Sequence, residues 1–195
     1  MNTLDIVKAQ LAESARVKQE LLQDQDAVDM IGRVAELCTE VCRKGNKVMW
    51  AGNGGSAADA QHMACELVSK FYLDRPAIPS IALTTNTSIL TAISNDVDFI
   101  EVFSRQIEAL GNKGDVFIGI STSGNSKNLV RALDSCKTRK IFSVALVGRN
   151  PCKMDAYDYV IHIPSVETPR IQESQTLICH IICCIVEQNL YGKNQ

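Results

Sequence analysis

The sequence predicts an α/β fold built on one five-stranded parallel sheet, with a pair of helices ahead of the first strand. Three observations predict it. Short runs such as Val116–Ile120 are apolar throughout rather than at alternate positions, which is how strands covered on both faces read. Between them lie segments whose apolar residues recur at helical spacing. Glycine- and hydroxyl-rich turns stand where a strand gives way to a helix.

The elements follow in order. Leu4–Leu22 aligns Leu4, Val7, Leu11 and Ala15, and Leu21 and Leu22 close the run. Asp26–Arg43 repeats the pattern through Val28, Ile31, Val34, Leu37, Cys38 and Val41, and Gly45 stands where a helix stop belongs. This pair, residues 1–45, has no sheet face of its own, so it is expected to pack across the domain or at an interface with another subunit. Lys47–Ala51 is the first strand, Gly52–Ser56 its turn, and Ala57–Phe71 a helix of strong formers that ends before Pro76. Ile78–Leu83 is the second strand. Thr84–Asp96 reads as polar and turn-rich, with one apolar patch at Ile89–Ile93. Phe99–Leu110 is helical and Gly111 stops it. Val116–Ile120 and the helix Ser126–Cys136 follow, then the strands Lys140–Val147 and Tyr159–Ile163 on either side of a loop at Gly148–Pro151. Arg170–Tyr191 closes the chain as a long helix. No repeat or linker interrupts the 195 residues, which read as one domain spanning 1–195.

Composition narrows the function. With 22 acidic against 20 basic residues and no basic block, neither a nucleic-acid groove nor a membrane-surface patch is expected. No apolar run has the length of a membrane span, and an N-terminus with Asp5 lacks a signal pattern, so a cytoplasmic protein is expected. The eight cysteines form no Cys-x-x-Cys pair. Cys38 and Cys42 fall on one helix, and Cys179, Cys183 and Cys184 on another, among Ile and Leu. Reduced, buried thiols are expected rather than a disulfide framework or a zinc ribbon.

Two turns carry chemistry. Ser121, Thr122, Ser123, Gly124, Asn125 and Ser126 lie between a buried strand and a helix, with no acid and no bulky side chain. Unpaired N–H groups at a helix start suit a phosphate dianion, although Ser126 serves equally as a plain N-cap. Gly52-Asn53-Gly54-Gly55-Ser56-Ala57 formally fits the dinucleotide fingerprint G-x-G-x-x-A. The strand that should then end on a ribose-binding acid runs instead into Thr84, Thr85 and Asn86, so no nucleotide cofactor is expected. In a parallel sheet both turns open on one edge. On the helix between them His62 and Glu66 are spaced i, i+4 and can share a proton, share a metal or simply pair. Gln172 and His180 on the closing helix are eight residues apart, about 12 Å along an axis, so one helix cannot direct both to one ion. Copies from different subunits, or a non-helical start near Gln172, are needed if both serve the same kind of site.

Ala51–His62, Glu66, Phe71-Tyr-Leu-Asp-Arg-Pro76, Ser121–Ser126 and Pro169–Glu173 together resemble the sugar-isomerase (SIS) domain, and within it the phosphoheptose isomerase family. The resemblance covers essentially the whole chain. It implies a three-layer, flavodoxin-like sandwich and a homotetramer with active sites between subunits. It also implies conversion of sedoheptulose 7-phosphate to D-glycero-D-manno-heptose 7-phosphate, the first step of ADP-heptose synthesis for lipopolysaccharide or capsule. Zinc ligands then fall on His62, Glu66, Gln172 and His180, and the phosphate loop on Ser121, Thr122, Ser123 and Ser126. Sugar contacts fall on Asn53, Gly54 and Gly55, on Asn95 and Asp96, and on Glu66 and Gln172. Three residues depart from the family pattern: Gln175 replaces a usual His, Asn86 an Asp and Ser94 a Gly. The chemistry needs a base at carbon and an acid–base group at oxygen, assigned to Glu66 and His180. Two alternatives stand beside it: a SIS-domain regulator of the type that binds the replication initiator, and an isomerase of another sugar phosphate. A pure binder is expected to lack Glu66 or His180, and this chain has both.

Overall fold

A computed structural model describes residues 2–192. The elements are α1 (Thr3–Gln23), α2 (Gln25–Arg43), β1 (Val48–Gly52), α3 (Gly55–Val68), β2 (Ser80–Ala82) and α4 (Thr87–Asp96). They continue with α5 (Ser104–Leu110), β3 (Val116–Ile120), α6 (Lys127–Arg139), β4 (Phe142–Val147), β5 (Tyr159–His162) and α7 (Thr168–Tyr191). The five strands are all parallel, in the order β2-β1-β3-β4-β5. The winding therefore reverses between β1 and β3, the place where open parallel sheets bind ligands at the carboxyl ends of their strands.

Alternation along the strands sorts the side chains into two cores. Val48, Trp50, Val116, Ile118 and Ile120 point to the side covered by α2, α3 and α7. Met49, Ala51, Phe117, Ala145 and Val147 point to the side covered by α5 and α6. β1 and β3 are buried at every position, as their continuous apolar runs require. At the opposite edge the buried Asp115 accepts from Lys47 Nζ (2.5 Å), Lys47 N (3.0 Å), Asn46 Nδ2 (3.0 Å) and Asn112 N (2.8 Å), pinning the starts of β1 and β3 together.

The two leading helices behave differently. α2 buries Ile31, Val34, Cys38 and Val41 in the first core. α1 buries only Val17 and Leu21 and leaves Leu4, Val7 and Leu11 exposed. All eight cysteines are free; Cys38, Cys136, Cys179 and Cys183 are buried, as small apolar packing groups, while Cys65 is exposed. Among the described residues no helix is long and apolar enough to cross a membrane.

Among the differences from the sequence reading, the second strand is shorter (Ser80–Ala82), the helix after the first turn runs Gly55–Val68, and three others have a local cause. α4 forms where a turn-rich segment was expected: Asn86 accepts from Ile89 N (3.0 Å) as an N-cap, and the helix is anchored only by the partly buried Leu90 and Ile93 against the second core. The helix expected over Phe99–Leu110 splits into a 3-10 turn at Phe99–Glu101 and α5. Asp98 accepts from Ile100 N (2.7 Å) and Ser104 Oγ donates to Glu101 O (3.0 Å), local bonds that compete with a continuous helix. β4 starts at Phe142 rather than Lys140, because Lys140 takes a left-handed conformation (φ 58°) that ends α6.

Candidate active site

Both turns open at the carboxyl edge on either side of the β1/β3 reversal, and they are bonded to each other. Asn53 Nδ2 donates to Asn128 Oδ1 (3.0 Å) and Asn128 Nδ2 donates back to Asn53 Oδ1 (2.9 Å). Asn128, in the first turn of α6, escaped the sequence reading because an Asn there looks like ordinary helix surface. In the first turn Gly54 has φ 57° and ψ −121°, a conformation open to glycine alone. A Cβ on Gly55 would lie 2.8 Å from Gln172 Nε2, so the absent side chain is what lets α7 approach.

The second turn folds upon itself. Ser121 Oγ lies 3.1 Å from Ser126 Oγ and accepts from Gly124 N (3.1 Å), while Ser123 Oγ accepts from Asn125 N (3.2 Å). Ser126 stands at the N-cap position of α6, yet its hydroxyl caps no helix amide. It faces the loop, which separates it from the plain cap. Among the described residues the N–H groups of Ser123, Ser126 and Lys127 find no acceptor. With the positive end of the α6 dipole, these free N–H groups have the chemistry that suits an anion. The turn is backed by residues 152–154: Met154 N donates to Gly124 O (3.2 Å) and Lys153 N to Asn125 Oδ1 (3.0 Å). Burial and the neighbouring Asp155 carboxylate push the Cys152 thiol up to about 11, so it packs behind the turn as a neutral group.

Cavities lie on both sides of this turn. One of about 260 Å³ is lined by Thr122, Ser123 and Arg149, the other of about 480 Å³ by Asn53, Ser126 and Asn128. Arg149, at the end of β4, donates to Glu20 Oε2 (3.0 Å) and Pro164 O (2.7 Å). It places a cation beside the hydroxyl loop, and only the strand-end rule signals it in the sequence. A larger cavity of about 660 Å³ opens at the amino ends of the strands, near Lys113, Lys137 and Lys140, and contains none of the expected site residues. Asn95 and Asp96 end α4, exposed, with Asn95 Nδ2 donating to Asp96 Oδ1 (2.7 Å).

His62, Glu66 and His180 converge elsewhere. His62 Nε2 is 2.9 Å from Glu66 Oε1, and the His62 and His180 rings meet edge to face with centroids 4.9 Å apart. One ligand atom from each of the three lies within 4.8 Å of the others. Two imidazoles and a carboxylate at such separations match a zinc ligand set that leaves a further position open.

α3 and α7 run side by side in the same direction and in register, which fixes where everything on them falls. Gly55 meets Gln172, Thr176 Oγ1 donates to Asp59 Oδ1 (2.9 Å), and the His62–Glu66 pair meets His180. α7 is already helical at Thr168, so the alternative of a non-helical start near Gln172 falls away. Within one chain Gln172 therefore lies at the loop edge and His180 further down. Glu66 is eleven residues along α3 from Gly55, about 16 Å of helix. One chain thus keeps two groups apart, the hydroxyl turn at the sheet edge and the His–Glu–His cluster on the helical side. The three departing residues are all structural here. Gln175 is fully buried and donates to Leu146 O (2.9 Å), Asn86 caps α4, and Ser94 Oγ donates to Leu90 O (2.6 Å).

A SIS domain model matches residues 11–148. A phosphoheptose isomerase of Aneurinibacillus thermoaerophilus is 53% identical over 188 residues, covering 96% of this chain and 95% of its own. Phosphoheptose isomerase 2 of Campylobacter jejuni is 53% identical over 193 residues, covering 98% of this chain and 96% of its own. The structure of a phosphoheptose isomerase from Neisseria gonorrhoeae superposes with a TM-score of 0.90 at 40% identity, over 96% of this chain and all (100%) of that one.

Proposed function

The chain belongs to the phosphoheptose isomerases of the SIS-domain family, and from that membership we propose how its two half-sites isomerise a phosphorylated seven-carbon sugar. The substrate is sedoheptulose 7-phosphate and the product D-glycero-D-manno-heptose 7-phosphate, a precursor for lipopolysaccharide or capsule, made by a cytoplasmic enzyme. The observation that carries this reading is the hydroxyl turn at the start of α6, with Ser126 facing the turn and unpaired N–H groups around it.

Ser121, Thr122, Ser123 and Ser126 hold the phosphate, with Asn53, Gly54, Gly55, Asn95, Asp96 and Gln172 along the sugar chain. Anchoring the far end fixes the reacting carbons against the base. Glu66 takes the proton from one carbon and returns it to its neighbour. His180 moves the matching proton between the two oxygens, so the sugar passes through an enediol(ate) and no electrons leave it. Because Glu66 and His180 lie a helix length from the loop of their own chain, each complete site joins the loop of one copy to the cluster of another. A homotetramer supplies that arrangement, and the exposed Leu4, Val7 and Leu11 of α1 give the leading helices a surface for the interface.

His62, Glu66 and His180, with Gln172 from another copy, would hold a zinc ion. The chemistry such an ion would supply there is polarisation of the sugar oxygens and stabilisation of negative charge on them. A carboxylate engaged by a metal is a weaker base, so the two tasks of Glu66 compete. Incubation of the protein with sedoheptulose 7-phosphate should yield the aldose, and turnover of a shorter sugar phosphate alone would refute the substrate assignment. Glu66→Gln should abolish turnover while substrate still binds; a near-normal rate removes Glu66 as the base.

A further inference from the structure

Residues 69–76 lead from α3 toward β2, and two side chains fasten them. Arg75 and Glu187 pair at 2.9 Å with their side chains 1% and 0% exposed. Glu187 also accepts three consecutive backbone N–H groups, from Phe71 (3.0 Å), Tyr72 (2.7 Å) and Leu73 (3.0 Å). Burial alone would raise its carboxyl, but these N–H groups and the guanidinium outweigh it and hold it below the usual value. Arg75 donates in turn to the carbonyls of Glu66 (2.9 Å), Leu67 (2.7 Å), Ser69 (3.3 Å) and Pro76 (3.0 Å). The final carbonyls of a helix have no partners within it and carry the negative end of its dipole, so Arg75 caps α3.

A buried ion pair matched in this way adds little net stability over apolar side chains of the same shape. Its effect is to leave the backbone around it a single arrangement. That backbone belongs to the proton-moving pair. Arg75 grips the carbonyl of Glu66 itself. Phe71, fixed through its N–H, stacks its ring on His180 with centroids 5.6 Å apart and planes 26° from parallel. Glu187 follows His180 on α7 by seven residues, two turns further along the same face. The anion loop, by contrast, lies at the other end of α3 and touches none of these bonds.

We propose that Arg75 and Glu187 are positioning residues for Glu66 and His180, which they hold in one mutual geometry through the α3 terminus and Phe71. The inference rests on the reading of Glu66 and His180 as the proton-moving groups.

Glu187→Gln keeps the shape but turns one acceptor oxygen into a donor facing other donors. Expected is a fall in kcat on the order of 100-fold, the effect of misplacing a catalytic group by about 1 Å, with KM for the phosphorylated substrate essentially unchanged. Arg75→Lys keeps the charge and loses the fork that caps two carbonyls while pairing with Glu187, so kcat falls in the same direction, by less. Leu133→Ala, in the core beneath α6, is the control: it should lower the melting temperature and leave kcat alone. Parental kcat in a folded clamp variant overturns the proposal, as does a kcat loss no larger than that of Leu133→Ala at matched melting temperature. If Glu187→Gln does not fold, Arg75→Lys decides by the same measures. Glu66→Gln separates the two failures. An active Glu66→Gln overturns the reading of the pair, whereas an inactive one beside fully active clamp variants overturns only the positioning role.

Discussion

Adding one methyl group at Gly124 should weaken substrate binding without disabling the chemistry. Gly124 has φ 61°, and a Cβ built there would lie 2.2 Å from Cys152 Sγ, 2.7 Å from Cys152 Cβ and 3.1 Å from Val147 Cγ1. The left-handed conformation costs an L-residue about 1–2 kcal/mol, and overpacking adds about 1–3 kcal/mol. If the turn shifts to relieve the strain, its hydroxyls leave the phosphate, and about 3 kcal/mol corresponds to roughly a 100-fold rise in KM at 1.4 kcal/mol per decade. Turnover should fall less than KM rises, since Glu66 and His180 stand on other elements and keep their mutual geometry when the turn shifts. Cys152→Gly removes both sulfur and Cβ, so the double variant should recover part of the loss and keep the conformational share. Steady-state kinetics on parent, Gly124→Ala, Cys152→Gly and the double variant measure the coupling directly. An unchanged KM in Gly124→Ala, or additive effects of the two substitutions, would refute the reasoning.

Removing the Ser123 and Ser126 hydroxyls should chiefly raise KM, by roughly 10–100-fold if each bonds a charged phosphate; an unchanged KM in the double alanine variant counts against the anion role. Asn128→Ala removes both amide bonds between the turns, at about 1 kcal/mol each, and should raise KM several-fold and lower the melting temperature; no change in either would mean the turns hold register without it. His62→Ala should weaken zinc binding by at least the 10–100-fold that losing an outer-shell partner costs, as read by equilibrium dialysis; parental affinity separates His62 from the metal. The Asp115 carboxyl is held below the usual carboxylate range: burial would raise it, but the Lys47 ammonium and the N–H donors prevail. Its contribution to stability is therefore full above about pH 4 and lost as pH falls through the folded value. Melting temperatures between pH 2 and pH 7, values spanning about that carboxylate range, should fall less steeply on the acid side in Asp115→Asn than in the parent. Parallel acid limbs would exclude Asp115.

Much of this arrangement was legible in the residues. Continuous apolar runs marked the buried strands, and two small-residue turns marked the sheet edge where they meet, because a helix start leaves N–H groups free whatever surrounds it. The eight-residue spacing of Gln172 and His180 set the two apart along one helix, and the parallel register of α7 with α3 gives that spacing its physical form. What stayed hidden depends on distant partners. Asn128 matters through a residue 75 positions away, and Glu187 through a turn more than 110 positions away. α4 was missed because a short surface helix that packs only Leu90 and Ile93 against the core leaves a faint periodic trace.

The matched course of α3 and α7 makes the two helices a single ruler. A residue inserted into or deleted from one between Gly55 and Glu66, or between Gln172 and His180, would swing everything beyond it by about 100° and shift it 1.5 Å. Glu66 and His180 would then part even though neither had been replaced. Length change in this pair of helices should therefore be tolerated only when both change together.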